Sequence, residues 1–546
     1  QRVIVRDFAA QWAGADVTTP ELTIGLQGSP TIDTHLHIAH LDFTRLMRDL
    51  TVTPRTIVLW TLNGDIHLHG GFSPLRLVFD MPELDTQDFS ILRDYWQVQP
   101  QRPIVHVPRA KLSGQMVIDD DAVSWRDCRV WFGQSNARVE LVRSRTSHDR
   151  TGREKDLTIV GLVADKLHLP DVGTLADLPV AGDAYLTAHL RGDFGDPPLA
   201  GTARFENFHL NGLPFGNLET APGTEWHFRA LRMTAALITG RHRRSPYSLH
   251  DAYLDFSRWT MTTGATVRSP RFELQDFYNM FQFEGDPVFE PYDGRGAVEA
   301  RVDYVLGRPG DDEDGVMTVD ATLSDCEVKA FDETILNASS HLSYVWLHRN
   351  EGIRGARVML DYFRGTKGGA PLEASGTMDL GGRMHFVASA RDVPIASLDL
   401  VRASNVPVSG TATLLGTAQG TPDAPRIVGD LSLRNLVALG RNIGAVDIHL
   451  SQTPEGPAPR NPGDRPPVGR VDVDARLLDD RLRLVTTLRV PWVESHWRDT
   501  LGVDHRDHSR AWPRTLLSLR LTATEAIDVL PWLPPTLLAR VGADAT

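Results

Sequence analysis

The sequence predicts an all-β protein, an elongated and mostly antiparallel β-groove repeat with short interspersed helices. Three observations support this prediction: apolar and polar residues alternate along the whole chain, helical periodicity is confined to short pieces, and one segment recurs. Alternation with a period of two is typical of strands that bury one face and expose the other to water.

The alternation is clear near the N-terminus, where Leu36 and Ile38 alternate with His35 and His37. Because successive side chains of a strand point to opposite faces, the apolar members of each run should share one face. The residues predicted in this way to line the apolar groove are Ile32, Leu36, Ile38, Ile66, Leu68, Ala184, Leu186, Leu190, Phe205, Leu414, Leu431, Leu433, Ile448, Leu450, Val471 and Val473.

Turn signals and short helical segments separate the predicted strands. Asn63-Gly64 is the type of dipeptide that marks a turn. Apolar residues spaced at three and four positions predict helices of two or three turns. Such pieces begin near Leu41, Asp88, Val172, Leu274, Ile395 and Ile527.

An internal repeat has an offset of 228 residues. Ungapped comparison of 179–216 with 407–444 gives eleven identical residues, whereas average composition would give roughly two or three. Gly296 lies 114 residues after Gly182 and 114 before Gly410, which indicates a weaker third copy. The repeating unit is therefore expected to have near 114 residues.

Each clear copy of the repeat contains a one-residue slip in its alternation. Phe205 precedes Asn207 by two positions, but the next apolar residue is Phe208, and the same slip occurs at Asn435. A slip of one residue would move the remaining apolar side chains of the strand to the solvent face, unless an extra residue in the backbone corrects the register. The sequence thus predicts a β-bulge at each of these asparagines.

The repeat suggests a division of the 546 residues, which are too many for one core of about 250–300 residues. We expect an N-terminal groove segment over 1–165, repeat unit 1 over 166–280, a divergent repeat unit 2 over 281–393, and repeat unit 3 with a C-terminal groove segment over 394–546. The chain is expected to be a piece of a longer protein, since it opens without an initiator Met.

Composition excludes several classes of function. Hydrophobic residues make up 41% of the chain, yet no apolar run approaches the roughly 18 residues of a membrane span. The formal net charge is −13 and Lys/Arg-rich blocks are missing, so no nucleic-acid partner is expected, because phosphate binding needs clustered cations. Cys128 and Cys326 are the only cysteines, too few for a disulfide framework.

One motif suggests metal chemistry. Asp33-x-His35-x-His37 resembles the strand by which metal-dependent amidohydrolase barrels present two zinc ligands. Such barrels require long helices between their strands, and the periodicity here supplies none. We therefore expect these histidines, and His67-x-His69, to lie on the solvated face, and expect no metal, no cofactor and no catalytic residue. A metal-dependent hydrolase remains a remote alternative.

The apolar face is the remaining candidate for function. With few helices to cover it, this face must fold inward, either as a closed sandwich or as an open trough. A trough would keep continuous apolar surface exposed, which normally marks a binding site. An acyl chain is the ligand that would fit such a surface.

Three stretches resemble a known family. The segments 389–398 (SARDVPIASL), 407–410 (PVSG) and 420–431 (GTPDAPRIVGDL) are similar to the repeat of the bacterial TamB and AsmA-like proteins. The resemblance implies a β-taco groove in the periplasm, anchored to the inner membrane by an N-terminal helix that lies outside this sequence. It also implies phospholipid as partner and, for TamB, an outer-membrane TamA-like barrel.

The expected function is accordingly transport. The chain would solvate phospholipid acyl chains along the apolar groove and conduct them between the inner and outer membranes. The alternative is a scaffold or chaperone for outer-membrane protein assembly, which would bind nascent strands by pairing with a sheet edge. Both functions require an apolar trough, so the sequence leaves both open.

Overall fold

The computed structural model describes most of the chain. The described residues are 2–49, 58–92, 103–120, 122–145, 156–172, 174–175, 178–193, 198–210, 212–255, 257, 261–280, 284, 292–305, 315–330, 333–349, 352–380, 383–421, 424–455, 468–478, 481–491 and 516–523. The chain divides into two compact units. The first comprises 1–284, 297–319 and 347–354, and the second comprises 285–296, 320–346 and 355–546.

The protein is all-β, as the sequence predicts. The strands up to residue 255 are β1 (Arg2–Trp12), β2 (Ala15–Gly25), β3 (Thr31–Asp42), β4 (Val58–Phe72), β5 (Leu75–Leu92), β6 (Pro103–Asp119), β7 (Ala122–Phe132), β8 (Ser135–Arg145), β9 (Asp156–His168), β10 (Thr174–Leu175), β11 (Leu178–Asp193), β12 (Leu199–Leu210), β13 (Leu213–Thr220), β14 (Trp226–Arg229), β15 (Arg232–His242) and β16 (Ser245–Asp255). The later strands are β17 (Thr262–Glu273), β18 (Tyr292–Val305), β19 (Gly315–Ala330), β20 (Glu333–Arg349), β21 (Gly352–Lys367), β22 (Ala370–Leu380), β23 (Met384–Pro394), β24 (Val408–Thr421), β25 (Ala424–Ala438), β26 (Arg441–Glu455), β27 (Val468–Leu477), β28 (Leu482–Pro491) and β29 (Leu516–Ala523).

Among the described residues, helices are few and short. They are α1 (Phe43–Asp49), α2 (Leu169–Val172), α3 (Leu274–Met280) and α4 (Asp399–Ser404), with a 3₁₀ turn at Ile395–Ser397 before α4. The longest have 7 residues, whereas a bilayer span needs about 20. In the part of the chain that the structure describes, no helix is therefore able to cross a membrane.

Neighbouring strands pair in antiparallel fashion. In the first unit, each strand from β1 to β8 pairs with the next along the chain. In the second unit the same holds from β21 to β29. Antiparallel neighbours need no helical crossover between them, which explains why the sequence shows alternation without long helical segments.

The apolar face of the ladder forms the core of each unit. In the first unit Ile38, Leu62 and Leu84 are buried in one cluster, and Leu46 of α1 packs against them. In the second unit the buried Ala412, Leu436 and Val446 pack with Ile395 of the 3₁₀ turn. The short helical pieces therefore cover the apolar face locally, at one end of a group of strands.

The predicted bulges at the two asparagines are confirmed. Asn207 has φ 50° and Asn435 has φ 51°, both in the left-handed region. The pairing register shifts at both positions, between Phe205 and Phe208 and at the equivalent place in β25. An asparagine tolerates this backbone conformation better than most residues, which explains its recurrence here.

The internal repeat is confirmed as a repeat of strand register. Ala184 lies opposite Phe205 in β11 and β12, and Ala412 lies opposite Leu433 in β24 and β25. Both pairs are related by the offset of 228 residues. Similar sequences thus place side chains in the same pairings, although the domain boundaries expected from the repeat remain a prediction.

Two local predictions are wrong. The helix expected near Asp88 is part of strand β5, and Asp88 itself adopts φ 55° at an irregularity of that strand. Asn63 and Gly64, expected in a turn, lie inside β4. The side chain of Asn63 accepts a hydrogen bond from the backbone N–H of His40 at 2.7 Å, so it stabilises a neighbouring strand instead. The helix predicted near Ile527 lies outside the described residues.

An aspartate in two of the short helices fixes a hairpin turn. Asp171 of α2 accepts a hydrogen bond from the hydroxyl of Ser135 at 2.8 Å, and Asp276 of α3 accepts one from Ser245 at 2.8 Å. The hydroxyl oxygen of each serine also accepts a hydrogen bond from the backbone N–H of the residue three positions before the aspartate. This residue is His168 in the first case and Glu273 in the second. The same pair of hydrogen bonds thus occurs twice, and each pair connects a short helix to a β-hairpin.

Candidate functional site

The residues predicted to line the groove lie on the buried face of their strands. They form three groups, on β3 and β4, on β11 and β12, and on β24 to β27. In the first two groups Ile38, Ile66, Leu68, Ala184 and Leu190 are buried. Half-buried members of these groups are Ile32, Leu36, Leu186 and Phe205. In the third group Val471 is buried, Leu431, Leu433, Ile448, Leu450 and Val473 are half-buried, and Leu414 is exposed.

In the first unit these residues belong to a longer file of apolar side chains, which we call the long lane. Residues directly opposite each other in an antiparallel pair project from the same face, so a chain of such pairs traces a line across the sheet. Starting in β4 and ending in β16, the long lane consists of Leu68, Phe79, Met116, Trp125, Val142, Ile159, Leu190, Leu199, Phe228, Met233 and Leu254.

The long lane is apolar at every step and extends far beyond one side chain. Its eleven residues come from eleven strands. With about 4.8 Å between neighbouring strands, the ten steps span about 48 Å along the sheet. One acyl layer of a bilayer is about 15 Å thick, half of its hydrocarbon core. The lane is thus longer than a single lipid tail.

The second unit contains a similar file, which we call the short lane. It runs from β23 to β28 and consists of Ala390, Leu414, Leu431, Ile448, Ala475 and Leu484. Leu414 is 41% exposed, although Ala412, two residues earlier on the same face, is 9% exposed. The core around Ile395 therefore covers one end of these strands, and the apolar face is accessible at Leu414.

The opposite face of the strands is polar. In the second unit His449 pairs with Asp430 at 2.7 Å, and Arg483 pairs with Asp474 at 2.5 Å. In the first unit the hydroxyls of Thr187 and Thr202 bond each other at 2.6 Å. Such groups are well solvated, so the two faces differ sharply in their affinity for hydrocarbon.

Two candidate nucleophiles among the described residues, Ser135 and Cys128, are unsuited to attack a substrate. Ser135, in the segment Gly133-Gln134-Ser135 that partly matches a hydrolase nucleophile turn, is buried and donates its hydroxyl proton to Asp171. Burial raises the pKa of the Cys128 thiol to about 11. A thiol with such a pKa is protonated near neutral pH and is a poor nucleophile.

The histidines of the N-terminal strands lie on the polar face, as predicted. Two of them and one aspartate form a cluster of potential metal ligands. His67 and His69 of β4 and Asp80 of β5 place one potential ligand atom each within 4.8 Å of one another. Their side chains are 34% to 41% exposed. The hydrogen bond from the Gln115 amide lowers the pKa of Asp80, so this carboxylate is ionised. His37 lies outside the group and bonds Asp65 at 2.8 Å.

Sequence reasoning found only part of the lanes. It missed Phe79, Met116, Trp125, Phe228 and Met233, although each lies in a strand whose alternation was visible. The missing information was the register between strands, which a single sequence does not contain. Comparison of the chain with models of known protein families gave no match, and comparison with curated proteins likewise gave none.

Proposed function

We propose that this chain is a bridge-like lipid carrier of the bacterial cell envelope, which conducts phospholipid between the inner and outer membranes. The long lane is the observation that supports the proposal, because it offers a continuous apolar path with a polar face behind it. The similarity of 389–431 to TamB and AsmA-like repeats supports a periplasmic location, an inner-membrane anchor and a TamA-like outer-membrane partner.

The mechanism is passive solvation of acyl chains. Each methylene moved from water to an apolar surface contributes about 0.8 kcal/mol, so a lipid tail is retained wherever the lane is apolar. The hydrophobic effect is not directional, so a tail gains similar free energy at successive positions of the lane. It can therefore move along the lane while its headgroup stays in water. No bond is made or broken, so no catalytic residue is required.

The proposal is tested by photo-crosslinking from defined positions. A photoreactive amino acid is placed at Leu186 or Leu414, on the apolar face of the two repeat copies, and at Thr187 or Thr413, their neighbours. The purified protein is incubated with phosphatidylethanolamine and phosphatidylglycerol vesicles, irradiated and analysed by mass spectrometry. We expect lipid adducts at both leucine positions and none at the threonines.

Leu415 supplies a stringent control for this experiment. It is adjacent to Leu414 and is 53% exposed, against 41% for Leu414, but it projects from the other face. Equal lipid capture at 414 and 415 would mean that exposure alone determines labelling, which contradicts the proposal. A closed sandwich would give no lipid adduct at 186 or 414. If unfolded outer-membrane strands were captured there and lipid were not, the scaffold function would replace the carrier.

A further inference from the structure

A compact group of metal-ligand residues lies on the polar face of the N-terminal strands, opposite the face that carries the long lane. His67 and His69 are two residues apart on β4, and Asp80 of β5 is the direct partner of His67 in the ladder. Neighbouring strands thus hold all three side chains on one face of the sheet. Among the described residues this is the one group of three or more histidine, cysteine or acidic side chains with this spacing.

Hydrogen bonds orient two of the three ligand atoms. The Nε2 of His67 lies 2.9 Å from Asp33 Oδ1, so the proton resides on Nε2 and the Nδ1 lone pair is left for a metal. The Gln115 amide donates to Asp80 Oδ1 at 2.8 Å, and Asp80 Oδ2 lies 3.0 Å from His69 Nε2, a hydrogen bond that a bound metal ion would replace. A carboxylate behind a ligating histidine is the arrangement that typically supports a metal centre.

The distances fit tetrahedral coordination. Asp80 Oδ2 lies 3.0 Å from His69 Nε2 and 3.7 Å from His67 Nδ1. Bonds of about 2.0–2.1 Å at tetrahedral angles place ligand atoms about 3.3 Å apart. These two distances lie on either side of this value, and all three ligand atoms lie within 4.8 Å of one another. Side-chain rotations would bring them to coordination distance.

We propose that His67, His69 and Asp80 bind one Zn²⁺ ion, with solvent at the fourth position. Two imidazole nitrogens and one carboxylate oxygen form a mixed donor set of the type that zinc accepts. The partial exposure of the three side chains lets the ion enter from water and leaves the fourth position open. The site is separate from the proposed lipid path, because His67 lies between Ile66 and Leu68, whose side chains project to the opposite face.

The test is zinc titration of the untagged, metal-stripped chain by calorimetry, with Co²⁺ absorption as a measure of tetrahedral geometry. We expect one ion per wild-type chain and no binding at this site in His69→Ala or Asp80→Asn. The visible bands of tetrahedral Co²⁺ should appear with wild type and be missing in these two variants. Asp33→Asn removes the group behind His67 and should weaken zinc binding about 10–100-fold.

His37→Ala is the matched control, because His37 lies on the same face of a neighbouring strand and bonds an aspartate. It should bind zinc as wild type does. Circular dichroism verifies that each variant is folded. A wild-type chain that binds no zinc overturns the proposal. So does zinc binding that persists unchanged in His69→Ala, or that falls equally in His37→Ala.

Discussion

Gln452 is a polar side chain in an apolar environment. It is 1% exposed, and its direct neighbours across the ladder are Ile427 and Val471. Within the described residues, neither its Oε1 nor its Nε2 has a hydrogen-bond partner. A buried amide without partners loses the hydrogen bonds that it made to water in the unfolded chain. Gln452 is therefore a local cost to the stability of the second unit.

We predict that Gln452→Met stabilises the second unit. Methionine has a similar length and an unbranched, adaptable side chain, so it should fill the same space without an unpaired amide. The gain in free energy of unfolding should be about 1–3 kcal/mol, measured by denaturant unfolding. Loss of stability would instead indicate that the amide is bonded in solution, for example to a buried water.

His341 is placed between two carboxylates on the polar face of the second unit. Its Nδ1 lies 2.6 Å from Asp361 Oδ2, and its Nε2 lies 3.2 Å from Asp320 Oδ1. The hydrogen bond to Asp361 is the main reason that the pKa of His341 is raised above its ordinary value. The protonated ring can donate to both carboxylates, which the neutral ring cannot do.

We predict a pH-dependent contribution from this histidine. Because its pKa is raised in the folded state, the stabilisation is fully present below the unfolded pKa of about 6.5 and is lost as pH rises through the folded pKa. The free energy of unfolding of wild type should exceed that of His341→Gln by about 0.5–1 kcal/mol at low pH and converge with it at high pH. The exposed His385→Gln variant controls for histidine removal, and a difference independent of pH would contradict the prediction.

At the level of single elements, the bulges depend on glycines as well as asparagines. Gly182 has φ 107° and Gly410 has φ 133°, and the register of their strands shifts beside them. A Cβ on Gly182 would lie 2.5 Å from the carbonyl oxygen of Asn207, and one on Gly410 would lie 2.8 Å from that of Arg434. The partner strand therefore approaches each glycine too closely for any side chain.

We predict that Gly410→Ala destabilises the second unit by at least about 1–3 kcal/mol, because a non-glycine residue is strained at this φ and its Cβ meets backbone. Gly416→Ala, on the same strand, is the control, since its Cβ would have only one neighbour within 4 Å, at 3.8 Å. That variant should be neutral or slightly stabilising in denaturant unfolding. Equal destabilisation by both substitutions would rule out a special role for the bulge glycine.

At the level of the whole molecule, the proposed function gives the two faces of the strands different roles. Leu414 and Leu415 are consecutive, exposed and chemically identical, but Leu414 belongs to the short lane and Leu415 to the polar face. They allow the contribution of the apolar face to the proposed transport to be separated from its contribution to folding. Both positions already contact water, so a charge at either should cost little stability.

We predict that Leu414→Asp abolishes lipid transfer between donor and acceptor vesicles, whereas Leu415→Asp leaves it near the wild-type rate. An ionised carboxylate in the acyl path is strongly unfavourable to hydrocarbon, and the same charge on the polar face is not. Leu186→Asp and Leu433→Asp, on the apolar face but half-buried, should also lose transfer, and circular dichroism must verify that each is folded. Normal transfer by folded Leu414→Asp protein would exclude a path along the short lane.

The sequence alone determined the class of fold and the direction of most side chains. Period-two alternation assigned Leu36 and Ile38 to one face and His35 and His37 to the other, and burial in the structure agrees. The repeat and the parity slip located the bulges at Asn207 and Asn435. These features depend on neighbouring residues of one strand, so the information is local and a single sequence contains it.

Only the tertiary structure decided which strands meet and at which residues. The long lane requires the register of ten pairings, and the cluster of His67, His69 and Asp80 requires the register of β4 against β5. A turn residue and a bulge residue also look alike in sequence, which explains the errors at Gly64 and Asp88. Register depends on the summed packing and hydrogen bonding of two strands, whereas alternation depends on one.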